Sequence, residues 1–493
     1  MLKTLPLALA LAFSMSAAQA ATLDKIDHIV VIYGENRGFD HLYGLYPGAD
    51  GISKLKPAQY QQRDHDGSLL PRLPPVWDAE HGKRGEIDPN FTVEPQPRNV
   101  PFRIDAAPYK LNLASETRDL VHRFYQNQEQ INGGKMDKFA AISDAGALTM
   151  GHYSGKQMRM WQIARRYTLA DHFFMGAFGG SFLNHMWLAC ACTPHFPDAP
   201  EKLRSIVNED GVSLKRKPES PTSALQGPPV FVRDGRLTPD GYAINTNQPS
   251  YQPSQVPPIK DGDNTLADPA KFPLPPQTEK TLGDLLSEKG VSWAWYGQNW
   301  SSALSDGMQA PEAERTVIYN HNPGGVGFQA HHQPYNYFAS FAPGTPARAA
   351  HLKDGQDFLQ AIDAGTLPHV SFYKPNGMLN SHPGGDLKAG DDHIAEVVER
   401  IERSPQWKRT LVIVTYDENG GFWDHVAPPK ADRWGPGPRI PAILISPWVK
   451  KGFVDHTVYD TTSIHQLVAK RFGLPLLPGV RKQFGDLTHA LKR

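Results

Sequence analysis

Short, unbroken apolar runs recur along the chain and stop at turn residues. Asp27–Tyr33 (DHIVVIY) ends at Gly34, Leu411–Tyr416 (LVIVTY) ends at Asp417, and Ile440–Ser446 (IPAILIS) is closed by Pro447. Runs of this length without polar alternation predict strands buried on both faces. Thr168–Phe174, Val291–Tyr296 and His369–Tyr373 are three further expected strands. Helical patterns lie between them. Thr281–Lys289 stops at Gly290, Asp391–Arg403 opens on acids and closes on cations, and Asp460–Phe472 is the third. Buried strands alternating with helices predict an α/β fold with a largely parallel central sheet.

Residues 201–276 break the pattern. They hold 13 prolines in 76 positions, about twice the chain average. Interspersed aromatic and apolar residues argue against a disordered linker. The segment reads as an insertion of loops and short strands that caps the core or covers the site.

The N-terminus carries one cation, Lys3, then an apolar run from Leu5 to Phe13, then Ala18-Gln19-Ala20. This predicts a secretory signal peptide over 1–20, with a catalytic domain over 21–493 and a periplasmic or secreted protein; the competing reading is a buried N-terminal helix. The run is too short to span a bilayer. This N-terminal segment has no twin arginine, so general export is expected.

Composition narrows the function. The 493 residues carry 51 cationic and 51 acidic side chains; loss of Lys3 with the leader leaves 50 against 51, net −1. Balanced charge argues against nucleic acid as a partner. A mean hydropathy of −0.47 excludes a multi-span membrane protein, and no stable membrane insertion is expected. The two cysteines, Cys190 and Cys192, are one residue apart. A bridge over so short a loop is expected to be strained, so buried free thiols on a helix are expected.

Two strand ends carry matching polar clusters, Glu35-Asn36 after the first strand and Asp417-Glu418-Asn419 after the strand at 411. In open α/β sheets ligands bind outside the carboxyl ends of the strands. If the two strands are neighbours, three carboxylates and an amide converge, which suits one hard divalent ion. Asp, Asn and Gly also occur at strand ends simply to make turns. A third element, Gly179-Gly180-Ser181, opens a helix-like stretch. Ser181 is there either as a helix cap or as a nucleophile at a helix N-terminus. His122, His331, His332, His382 and His425 sit in loops, where they are surface residues or the rim of an anion-binding cleft. The G-x-S-x-G elbow, the P-loop, H-E-x-x-H and C-x-x-C are all missing from the sequence.

Five segments in order, IDHIVVIYGENRGFDHLYG, NGGKMDKF, GAFGGSFLNHMW, TYDENGGFWDHVAPP and RIPAILISPWV, resemble the bacterial phosphoesterase family of phospholipases C and acid phosphatases. The resemblance runs in pieces from about residue 25 to 475. It implies an alkaline-phosphatase-like α/β core and hydrolysis of small phosphorylated substrates. By the same resemblance Glu35, Asn36, Ser181, Asp417 and Glu418 hold the metal, with Ser181 as nucleophile. His122, His332 and His382 are similar to histidines that contact the phosphoryl group, with Asn36, His331 and Asp392 as further substrate contacts. Family phospholipases C tend to carry Thr in a proline-rich nucleophile loop. Ser181 after two glycines is closer to the acid phosphatase branch, so a phosphomonoesterase is expected, with a phospholipase C-type diesterase as the alternative.

Overall fold

The computed structural model describes residues 17–79, 82–83, 85–320 and 326–493. Most of the expected leader therefore lies outside the described residues; its last four residues fall in a short helix, Ala17–Leu23.

Eight strands form the central sheet. They are β1 (His28–Gly34), β2 (Thr168–Ala170), β3 (Trp293–Gly297), β4 (Leu352–Asp354), β5 (Val370–Lys374), β6 (Thr410–Tyr416), β7 (Ala442–Ile445) and β8 (Phe453–Asp455). Their order across the sheet is β8-β2-β7-β6-β1-β5-β3-β4. β7 runs antiparallel to both β6 and β2, and the other pairs are parallel. β1, β6 and β7 are buried almost throughout, as continuous Val/Ile/Leu runs require in a sheet covered on both faces.

The flanking helices are α1 (Phe124–Ile131), α2 (Arg159–Ala164), α3 (Ser181–Cys190), α4 (Leu282–Glu288), α5 (Gly355–Ala364), α6 (Leu387–Glu402) and α7 (Thr462–Phe472). α4 begins where Thr281 and Asp284 cap each other's backbone. α6 starts a turn earlier than its charge pattern predicts, because Asp386 accepts from Ala389 N and supplies the cap. The mixed α/β architecture with a large, mostly parallel sheet is as expected.

Two expectations are corrected. The Thr168–Phe174 run is two strands. Thr168–Ala170 joins the central sheet, whereas Phe173–Phe174 pairs with Tyr459–Asp460 in a separate sheet. Cys190 and Cys192 are not free thiols but form a disulfide. α3 ends at Cys190 and Ala191 takes a left-handed conformation (φ 47°), so the chain turns back on itself. The two Cα atoms are then 5.1 Å apart, within disulfide reach.

Over 201–276 the chain forms isolated bridges such as Arg204 with Leu237 and Arg216 with Phe231, and two single turns of 3₁₀ helix. Leu214, Leu237, Ile244 and Leu274 enter the main core.

Candidate active site

β1 and β6 are neighbours, with Gly34 opposite Tyr416. That register brings Glu35-Asn36 and Asp417-Glu418 side by side at the carboxyl edge of the sheet. The two loops are tied by Asn36 N, which donates to Asp417 Oδ1 at 2.9 Å. Asn36 sits at φ 56°, a left-handed position that Asn tolerates better than most residues. Gly420 (φ 62°) passes so near that a Cβ on it would fall 2.1 Å from Asn36 O. Only glycine fits both demands.

Ser181 is the first residue of α3. Gly180 occupies the cap position, and no side chain caps the helix. The Ser181 hydroxyl instead faces the strand ends, 2.9 Å from Glu35 Oε1, 3.1 Å from Asn36 Oδ1 and 3.5 Å from Glu418 Oε1. This decides against plain helix capping. The turn that presents Ser181 is held by Asn184, whose Nδ2 donates to Ala177 O, Gly179 O and Gly180 O and whose Oδ1 accepts from Ala177 N.

Glu35, Asp417 and Glu418 are at most 1% exposed. Lys374, the last residue of β5, bonds Glu35 Oε2, and His332 Nε2 donates to Glu35 Oε1 at 2.9 Å. Burial opposes a charge on Glu35, but His332 and Lys374 outweigh it and hold the carboxyl well below its usual range. Burial, with Glu35 nearby, pushes Asp417 up to about 7, and burial raises Glu418 well above its usual value.

These residues fit a divalent cation. One hydroxyl proton on Ser181 can serve only one of the three oxygens around it, so the other approaches are between oxygens. Asp417 Oδ2 is buried without a hydrogen-bond partner. Glu35, His185 and Asp417 each place a ligand atom within 4.8 Å of the others, as do Glu35, His331 and His332. Three clustered carboxylates, two of them resisting ionisation, are an oxygen-rich set suited to a hard ion.

A cavity of about 390 Å³ opens onto Ser181 and is lined by Glu35, His122, His331 and His382, with Asn245 from the insertion. His122 Nε2 lies 3.4 Å from Asn36 Nδ2 and 3.5 Å from Glu418 Oε1. Burial works against its charge, yet Glu418 and Asp119 raise His122 to about 9. His331 bonds the Tyr319 hydroxyl at 2.8 Å. Burial lowers His331 and His382, and takes His332 down to about 4.

A model of the phosphoesterase family matches residues 26–475. The chain belongs to the phosphoesterase family. Among similar proteins, phospholipase C B of Mycobacterium tuberculosis (strain H37Rv) is 23% identical over 92% of this chain and 74% of its own length. Non-hemolytic phospholipase C of Pseudomonas aeruginosa is 24% identical over 95% of this chain and 57% of its own. Non-specific phospholipase C6 of Arabidopsis thaliana is 35% identical over 22% of this chain and 27% of its own. Among solved structures, a protein in the alkaline phosphatase superfamily from Vibrio parahaemolyticus is similar at 11% identity and TM-score 0.31, over 79% of this chain and 76% of that one.

In this phosphoesterase Glu35, Asn36, Ser181, Asp417, Glu418, His122, His331, His332 and His382 come together. Asp392 does not. It lies on α6, outside the cavity, paired with Lys388 and Arg159. Its neighbour Asp391 is the buried one, and that carboxylate accepts from Arg159 N and Met160 N at the start of α2. His425 is also elsewhere, bonded to Asp40 at 2.7 Å. Lys374, His185 and Asn184 belong to the site, and the sequence alone does not single them out. Lys374 ends an apolar strand, the same signal that marks Glu35. His185 and Asn184 are one turn along α3 from Ser181, which is helical proximity.

Proposed function

We propose that this chain hydrolyses phosphoesters by attack of Ser181 Oγ on phosphorus, and that its substrates are phosphodiesters of the phospholipase C kind. The observation that carries the reaction is the Ser181 hydroxyl, turned away from its own helix and into the Glu35, Asn36 and Glu418 cluster. The phospholipase C relatives support the diester over the monoester that the glycine-rich loop favours. The same loop, Gly179-Gly180-Ser181 without a nearby proline, is the observation behind the second reading, an acid phosphatase.

One divalent ion held by Glu35, Asn36, Ser181, Asp417 and Glu418 would lower the pKa of the Ser181 hydroxyl and offset charge on the phosphoryl group. Ser181 Oγ gives up its proton to solvent and forms a bond to phosphorus as the opposite ester bond breaks. The departing alkoxide takes a proton from His122, which Glu418 and Asp119 hold protonated, whereas burial keeps His332 and His382 neutral. The N-terminus of α3 and the remaining histidines donate toward the phosphoryl oxygens. Water then gives a proton to the same histidine and attacks phosphorus from the vacated side, the bond to Ser181 breaks, and Ser181 Oγ takes a proton from solvent in place of the one it gave up. From a diester the products are an alcohol and a phosphomonoester.

The test compares p-nitrophenylphosphorylcholine with p-nitrophenyl phosphate, with divalent metal added. A kcat/KM at least tenfold higher for the diester is expected. The opposite order returns the acid phosphatase reading. Hydrolysis of neither rejects the enzyme in favour of a binding protein that keeps the fold. We also propose export, supported by the Lys3, apolar run and Ala18-Gln19-Ala20 pattern. Among the described residues no helix is long and apolar enough to cross a membrane.

A further inference from the structure

A second, larger cavity of about 900 Å³ adjoins the one over Ser181. The two share Asp119, Val121, Arg123 and Asp144, so the same segment borders both spaces. The far wall of the outer cavity is the 228–233 stretch of the proline-rich insertion, which contributes Pro228, Pro229, Phe231 and Val232.

Two features show what this wall offers a ligand. The arginines around it are already committed. Arg118 pairs with Asp88 at 2.8 Å and Asp144 at 2.9 Å, Arg233 with Glu201 at 2.6 Å, and Arg123 with Asp234. They give little to a second phosphate. The apolar side chains keep surface uncovered, although Phe231 also packs on one side against the main core. Val232 is 39% exposed and Phe231 is half-buried, and an apolar surface beside an open cavity gains by being covered. The wall is also fixed in place. Arg123 and Gln126 both hold Asp234, and Phe124 N donates to Asn245 Oδ1 at 3.2 Å. The insertion is thereby bound to the segment that carries His122.

We propose that this outer cavity is the subsite for the alcohol substituent of the phosphoester, and that Phe231 and Val232 select alcohols with an apolar body, a glycerolipid among them, over small or polar ones. A phosphoryl group at Ser181 lies beside this second space at the shared Asp119–Arg123 segment, and a substituent that extends past that segment meets the apolar wall. The inference rests on the reading of the inner cavity as the phosphoryl site.

The test uses binding, so that it does not depend on turnover. Metal-loaded Ser181→Ala protein is titrated calorimetrically with inorganic phosphate, ethyl phosphate and hexyl phosphate. A fully buried methylene is worth about fourfold in affinity. With four extra methylenes partly covered, hexyl phosphate is expected to bind at least tenfold tighter than ethyl phosphate. Adding Val232→Asp, at an exposed position that leaves the fold intact, or Phe231→Ala should cut that gain below threefold and leave inorganic phosphate within twofold. Equal affinity for the two esters, or a gain that survives both substitutions, overturns the subsite. Turnover of the p-nitrophenyl substrates by the unsubstituted chain is scored separately. Turnover without a chain-length gain rejects the subsite alone. A chain-length gain without turnover upholds the subsite and rejects the hydrolase.

Discussion

Ser181 donates to Glu35 Oε1 at 2.9 Å across the gap between the first turn of α3 and the end of β1. A helix-opening serine ordinarily bonds its own backbone; this one bonds a carboxylate 146 positions away in sequence. Ser181→Ala removes the reacting oxygen and one hydrogen bond, and no core volume of consequence. It should lower kcat by at least a thousandfold with an unchanged circular dichroism spectrum. Retention of more than a few per cent of activity would rule Ser181 out as the nucleophile.

The clustered carboxylates predict metal dependence that can be read without a substrate. Glu35→Ala takes away an oxygen that meets both Ser181 and His332, and leaves the buried Lys374 ammonium with Gly34 O but no carboxylate partner. Asp417→Ala takes away the group that ties the Asn36 and Glu418 amides together. Elemental analysis of either variant should show bound metal well below one equivalent. Asp392→Ala should leave it unchanged, because that carboxylate faces Lys388 and Arg159. Full metal content in Glu35→Ala and Asp417→Ala would refute these ligands.

Gly420→Ala tests the close approach of the loops that follow β1 and β6. The added methyl would meet the Asn36 backbone, and φ 62° is itself unfavourable for alanine. Strain of this kind is worth about 1–3 kcal/mol. Relaxing it moves Asn36 away from Ser181. The expected result is a fall in kcat/KM of at least a hundredfold, with a urea midpoint only modestly lower. Wild-type kinetics in Gly420→Ala would show that the two loops are not held in this register.

Much of this arrangement is legible in the sequence because buried parallel strands announce themselves as unbroken apolar runs, and the residue just past each run lies at the ligand-binding edge. Glu35, Asn36, Asp417 and Glu418 stand out in that way. β4 and β8 escape the same reading because each is three residues long and ends in aspartate. Lys374 escapes because its importance depends on β5 lying next to β1, a matter of sheet order rather than local pattern. Asp392 fails for a related reason. One step along α6 separates a buried carboxylate from one that faces solvent, and the sequence carries both. The cysteine pair fails because a left-handed residue between the two thiols, Ala191, is not an expectation any pattern supports.

His425 supplies a prediction away from the active site. It bonds Asp40 Oδ2 at 2.7 Å in a network with Asp50, Asp424 and Arg439. Burial and Arg439 oppose its charge, but Asp40 and Asp424 outweigh them and raise it to about 9 from the ordinary 6.5. A cation whose pKa is raised on folding stabilises the fold fully below its unfolded pKa and ceases to do so as the pH climbs through its folded one. The stabilisation should therefore be complete at pH 6 and lost by about pH 9.5. A tenfold gain in proton affinity corresponds to about 1.4 kcal/mol, so the rise sets an upper figure of about 3 kcal/mol for this pair. Urea unfolding of the wild-type chain and His425→Asn at the two pH values isolates the effect from every other titrating group. The wild type should exceed the variant by about 1–3 kcal/mol more at pH 6 than at pH 9.5. A difference that does not change with pH would show that His425 is not held as a cation between Asp40 and Asp50.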